Sequence, residues 1–264
     1  MHLKKITTIL ALLTGSYFCV AQDFSAFKKA LFIRGKDTLP YRIMYPVNYD
    51  AKKSYPLIVY LHGAGLRGND NQLQLTESGS YFLNDEVRKK FPALVVFPQC
   101  PSDSMWFNIP PGPAYDTTVA FNHKMNTLPL SAPERLVKLL MDSLAEHKLA
   151  DIKRIYLGGC SLGGFGTYDL VIHYPDYFAA AFPICGQANV VLYPKRAANV
   201  PVWIFHGAID DIINPWPDRS LIKALQHNGA KNAKYTEFPG LKHDIEAAVF
   251  AEPGLFPWLF SFKK

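Results

Sequence analysis

Ser161 lies in Gly158-Gly159-Cys160-Ser161-Leu162-Gly163-Gly164, with glycine two residues to either side of the hydroxyl. The pattern is G-x-S-x-G. An apolar stretch, Ile152 to Leu157, precedes it, and a helical stretch, Leu162 to His173, follows. On a sharp strand-to-helix turn the serine is lifted clear of the sheet, and only small residues fit two positions before and after it. The chemistry this allows is nucleophilic attack on a carbonyl carbon, with the Leu162 N–H aimed at the carbonyl oxygen. Other readings of the run fit less well. Cys160 as nucleophile would put Leu162 where a small residue is required. No Lys follows the glycines as in a phosphate loop, and G-x-G-x-x-G is absent.

A serine nucleophile needs a base, and the base needs an orienting acid. With such a turn the chain order is serine, acid, histidine. Among the histidines, His2 lies in the N-terminal leader, and His123 precedes Ser161. His147, His173 and His227 fall on or near the ends of helical stretches. His206 follows the apolar run Val202 to Phe205 and leads into a loop bearing Asp210 and Asp211, which it is placed to brace. His243 remains, just past the run Lys234 to Phe238, in a turn opened by Gly240. The residues alone leave the acid open between Asp210 and Asp211. A second oxyanion donor is expected from the loop after Leu57 to Leu61, His62-Gly63-Ala64-Gly65, and the candidate is the Ala64 N–H.

These groups converge only if several strands end on one edge of a sheet. The chain supplies such strands. A hairpin is expected over 30–34 and 39–46, followed by β-branched apolar runs at 57–61, 93–97, 152–157, 179–184, 202–205 and 234–238. Helical patterns separate them. Ser131-Ala132-Pro133-Glu134 reads as a capping box opening a helix with Leu136, Val137, Leu139, Leu140 and Leu144 at helical spacing. Pro215 to Asn228 reads as another, closed by Gly229. This alternation predicts an α/β fold with a mainly parallel sheet covered on both faces. Residues 100–130, rich in proline and aromatics, interrupt it as a packed surface insertion leaving a strand end, where such folds place ligand sites.

Composition narrows the setting. With 49% apolar and 19% charged residues, the 264-residue chain is too apolar to be disordered. Residues 1–21 read as a secretory signal: Lys4 and Lys5, a short apolar stretch from Ile6 to Thr14, and small residues in Cys19-Val20-Ala21 before the cut. A secreted or periplasmic protein is expected. No later stretch approaches the ~18 apolar residues of a membrane span. The net charge of +6 is scattered, without basic runs interleaved with aromatics, which disfavours nucleic acid but leaves an acidic polysaccharide open. Cys100, Cys160 and Cys185 remain after cleavage, either as one bridge and a free thiol or as three thiols. No metal-binding pattern is present, and no cofactor is implied.

Taken together, Y-L-H-G-A-G (60–65), F-P-Q-C-P (97–101), G-C-S-L-G-G (159–164), F-H-G-A-I-D-D (205–211) and Y-T-E-F-P-G-L-K-H-D (235–244) resemble the α/β-hydrolase superfamily. More narrowly, the chain looks like secreted bacterial esterases: phospholipase/carboxylesterase, dienelactone-hydrolase-like and feruloyl-esterase-like proteins, including the so-called predicted peptidases. The likeness runs from about Tyr41 to the C-terminus. It implies one α/β-hydrolase domain over 22–264, with Asp210 as the acid, His243 as the base, and Ala64 and Leu162 as oxyanion donors. Ser161 stands where dienelactone hydrolases carry Cys. Trp106 resembles an aromatic near the acyl or alcohol pocket, although a buttress inside the insertion is an equal reading, and Trp216 is similarly ambiguous. The implied activity is a serine carboxylesterase acting on short acyl esters or on acetyl or feruloyl groups linked to polysaccharide. A peptidase of the same fold and a non-catalytic carbohydrate-binding protein are the alternatives.

Overall fold

The computed structural model describes residues 22–110 and 122–264. The expected leader, and Pro111, Pro113, Tyr115 and Phe121 of the insertion, lie outside the described residues. Eight strands form one sheet: β1 (Phe27–Arg34), β2 (Asp37–Met44), β3 (Tyr55–Leu61), β4 (Leu94–Pro98), β5 (Ala150–Cys160), β6 (Ala180–Ile184), β7 (Val202–Gly207) and β8 (Ala233–Phe238). Their spatial order is β1-β2-β4-β3-β5-β6-β7-β8. β2 pairs antiparallel with β1 and β4, and the remaining neighbours are parallel. The N-terminal hairpin is longer than expected. Its strands stay paired as far as Arg34 and Asp37, so the turn is only Gly35-Lys36.

The continuous apolar runs arise because the central strands are buried on both faces. Along β3, Leu57, Val59 and Leu61 enter one core, while Ile58 and Tyr60 enter the other. β7 divides likewise, Val202 and Ile204 against Trp203 and Phe205. The first core is covered by α1 (Ala132–Glu146), α2 (Leu162–His173) and α4 (Trp216–His227), with α3 (Leu192–Ala197) beside them. The second is closed by Phe82 and by α5 (Glu246–Phe250) and α6 (Leu255–Phe260). The expected capping box is present: the Glu134 N–H donates to Ser131 Oγ at 3.3 Å, and the Ser131 N–H donates to Glu134 Oε2 at 2.9 Å.

The described parts of the insertion pack deeper than a surface segment. Trp106, Phe107 and Met125 are buried, and Phe107 stacks on Phe165 of α2 with centroids 5.0 Å apart. Three buried asparagines staple its far end to the loop after β6. Asn189 Nδ2 donates to the His123 and Met125 carbonyls at 2.7 and 3.1 Å. The Asn189 N–H donates to Asn126 Oδ1 at 2.9 Å, and the Val190 N–H to Asn122 Oδ1 at 3.1 Å. Buried backbone without a partner is costly, so these side chains substitute for the ladder the segment lacks. Asn189→Ala should therefore lower unfolding free energy by about 2–4 kcal/mol, read by urea denaturation. A loss below about 0.5 kcal/mol, the range of ordinary surface substitutions, would contradict the staple.

Candidate active site

β5 delivers Ser161 to the sheet edge, and α2 leaves from it. Ser161 has φ 55° and ψ −117°, a strained conformation for a residue with a side chain. The expected need for small neighbours has a concrete cause. A Cβ on Gly163 would lie 1.9 Å from the Leu61 carbonyl oxygen, and one on Gly159 would lie 2.5 Å from that of Gly163. The turn is held where the Ser161 N–H meets the Ile184 carbonyl, at 2.9 Å. Leu162 is the first residue of α2, so its N–H has no acceptor inside the helix.

β7 and β8 deliver the other two groups. Asp210 is buried, and its Oδ1 accepts the Ile212 and Ile213 N–H groups, both at 2.9 Å. Its Oδ2 faces His243 Nδ1 at 2.7 Å. A carboxylate only accepts, so Nδ1 carries the proton and Nε2 of the neutral ring is the basic nitrogen. Burial opposes ionisation of Asp210, but hydrogen bonds from His206, His243 and the two backbone groups hold its carboxyl well below the usual range. Asp211 is exposed and pairs with Lys242 at 2.6 Å, so geometry separates the two acids. Gly207 permits the approach of the two loops: a Cβ there would lie 1.8 Å from the Lys242 carbonyl oxygen. Ser161 and His243 line one cleft of about 560 Å³, together with Gly63, Ala64 and Gly65.

The His62 loop is braced from beneath. The Cys100 N–H donates to His62 Nε2 at 3.0 Å, which leaves the ring proton on Nδ1, facing the Gly63 carbonyl at 2.7 Å. Burial lowers the His62 imidazole to about 4, so it stays neutral at this post. Trp106 is 0% exposed, and its indole N–H donates to the His62 carbonyl at 3.0 Å. It does not line the cleft, so the substrate-contact expectation gives way to the buttress. Trp216 opens α4 half-buried and is not among the residues that line the cleft. Cys100, Cys160 and Cys185 are free, buried thiols, and burial pushes Cys160 well above the ordinary thiol range.

Three acids escaped the sequence reading. Glu77, Asp244 and Glu246 all line the cleft, with Tyr81, Ile212, Ile213 and Ala247. Burial, Glu246 and Asp244 together raise the Glu77 carboxyl. Glu77 lies in a stretch with no motif, and nothing in the local pattern marks it. His206 does brace the acid loop, and its other partner is Asp218, twelve residues on, at 2.7 Å. Ligand atoms of Cys185, His206 and Asp210 lie within 4.8 Å of one another. Both His206 nitrogens and both Asp210 oxygens already hold protein partners, so hydrogen bonds account for this cluster.

Comparisons with known proteins bear on the family and the fold. The crystal structure of a thermostable esterase superposes with a TM-score of 0.79 at 29% identity, over 91% of this chain and 64% of that one. A CE1 ferulic acid esterase from Anaeromyces mucronatus, in complex with ferulic acid, gives 0.62 at 16% identity, over 92% of this chain and 93% of its own, a likeness of fold. A bifunctional acetylxylan esterase/xylanase of Neocallimastix patriciarum is 35% identical over 78 residues, 30% of this chain and 12% of its own length. A poly(3-hydroxyoctanoate) depolymerase of Pseudomonas fluorescens is 26% identical over 152 residues, 54% of this chain and 51% of its own. This chain thus spans about half or less of those curated relatives. The family model described as "Putative esterase" matches residues 36–238, most of the chain; the protein belongs to that family and has the α/β-hydrolase fold.

Proposed function

We propose that residues 22–264 form a single-domain serine carboxylesterase, exported by way of residues 1–21, that cleaves esters through Ser161, His243 and Asp210. The observation that carries this reading is the 2.7 Å Asp210–His243 hydrogen bond beside a serine held at positive φ, with Ser161 and His243 lining one cleft. His243 Nε2 takes the Ser161 proton as Oγ bonds to the ester carbon. The carbonyl electron pair moves to its oxygen, which the Leu162 and Ala64 N–H groups receive. Collapse expels the alcohol, which takes the proton from His243. Water, activated by the same nitrogen, then attacks the acyl-enzyme, and the carboxylic acid leaves as Ser161 regains its proton. Asp210 holds the ring in the required tautomer and stabilises its charged form.

The cleft also speaks to substrate. Among the described residues, its lining carries Glu77, Asp244 and Glu246 and no lysine or arginine. Carboxylates accept hydrogen bonds from sugar hydroxyls and repel anions. Short acyl, acetyl or feruloyl esters of neutral carbohydrate fit this lining. A polyanion does not, despite the positive net charge. The relatives named for acetylxylan and ferulic acid support the same direction.

Hydrolysis of p-nitrophenyl butyrate, methyl ferulate, acetylated xylan and a chromogenic peptide by the protein and by Ser161→Ala tests the reading. Ester turnover should fall by about 10⁴-fold or more in the variant. Near-normal turnover would overturn the assignment, and peptide cleavage without ester cleavage would favour a peptidase. The charge argument has its own test. The p-nitrophenyl ester of succinic acid, which keeps one free carboxylate, should be cut about tenfold more slowly than the butyrate. Glu77→Gln combined with Glu246→Gln should narrow that gap. Equal rates in the unmodified protein would show that the cleft acids do not select.

A further inference from the structure

We propose that His206 and Asp218 are positioning residues for this hydrolysis: a buried imidazolium held by Asp218 grips the far side of Asp210 and lowers the pH at which His243 can act as base. The proposal rests on the roles given above to Ser161, His243 and Asp210. His206 is 0% exposed. Its Nδ1 meets Asp218 Oδ2 at 2.7 Å, and its Nε2 lies 3.2 Å from Asp210 Oδ2 and 3.0 Å from the Ile213 carbonyl oxygen. Ionised carboxylates and carbonyls only accept, so both ring nitrogens must supply a proton. Asp218 is 1% exposed, and its second oxygen takes the Tyr168 hydroxyl at 2.7 Å. A chain of hydrogen bonds therefore runs Tyr168–Asp218–His206–Asp210–His243, in which the two imidazoles share the single oxygen Oδ2 of Asp210.

Burial raises the Asp218 carboxyl, against the hydrogen bonds from His206 and Tyr168 that hold it ionised, and the remaining surroundings favour a charged His206. Burial lowers its basicity, but the hydrogen bonds to Asp210 and Asp218 outweigh that and raise it to about 10. Across on β8, Glu237 stands opposite His206 in register and is held by Arg219 at 2.7 Å. Tyr168, Tyr235 and Cys185 are kept neutral, since burial raises each of them. On the cleft side, Asp211 is paired with Lys242, and Glu77, Asp244 and Glu246 stand beyond His243.

The sign follows from the shared oxygen. The Asp210 charge stabilises protonated His243, and a cation on its other side offsets part of that effect. Without the cation His243 holds its proton more tightly, and the acid limb of kcat/KM moves to higher pH. In His206→Gln the limb should rise by about one pH unit, with kcat/KM about tenfold lower on the acid side and a smaller loss on the alkaline plateau. Asp218→Asn, which lets His206 go neutral at nearly constant volume, should move it the same way by less. A merely structural role predicts an equal loss at every pH. In the unmodified protein, ¹⁵N spectra of labelled histidine should show both His206 nitrogens protonated between about pH 5 and pH 8. This last measurement needs no variant to fold. A neutral His206 in that range, or an acid limb unmoved in a folded variant, would overturn the proposal. Ser161→Ala keeping its activity would instead remove the hydrolytic reading beneath it.

Discussion

The site depends on two places where backbone meets backbone with no room for a methyl group. At Gly163 helix α2 rests on the end of β3, and at Gly207 the end of β7 rests on the loop that carries His243. A Cβ at either would fall within 2 Å of a carbonyl oxygen. The first contact fixes the height of Ser161 and brings the His62 loop beside it. The second brings Asp210 within a hydrogen bond of His243. Both lie where parallel strands end, so the sheet supplies the alignment and the glycines supply the approach.

The second organising feature is the concentration of charge around Asp210. Its two oxygens take four donors: the Ile212 and Ile213 N–H groups, His243 and His206. A carboxylate in that setting stays ionised and cannot turn. Farther out, the sign reverses: the open wall of the cleft carries Glu77, Asp244 and Glu246, the last tied to Ser78 Oγ at 3.3 Å. The site thus surrounds its buried acid with donors, and its cleft wall presents acceptors to solvent. Buried hydrogen bonds orient Asp210 and His243, while the wall of the cleft presents hydrogen-bond acceptors.

Local signals explain how much of this was legible beforehand. Strand runs, the Ser131–Glu134 capping box, the glycines around Ser161 and the approximate place of His243 are written in short windows, because neighbours in sequence impose them. The choice of Asp210 over Asp211 came only with a family likeness, since both occupy one loop and differ in tertiary partners. The two readings of Trp106, pocket aromatic or buttress, are separated for the same reason only by its tertiary contacts. Its aromatic character shows in the sequence, but its task is to hold the His62 carbonyl, forty-four residues away. Glu77 and Glu246 reach the cleft from opposite ends of the chain, and no spacing rule joins them. The partnership of His206 with Asp218 spans a loop and the first turn of a helix, so neither residue signals the other. Depth in the insertion was likewise hidden, because asparagine staples carry no periodic pattern.

The central claim is that Ser161 is an activated nucleophile. A fluorophosphonate forms a covalent bond to such a hydroxyl and expels fluoride, and peptide mass mapping locates the adduct. The expected result is one adduct per chain on Ser161, lost when the protein is unfolded first and greatly slowed in His243→Ala. Absence of an adduct from the folded protein, or an adduct on another residue, would contradict the account.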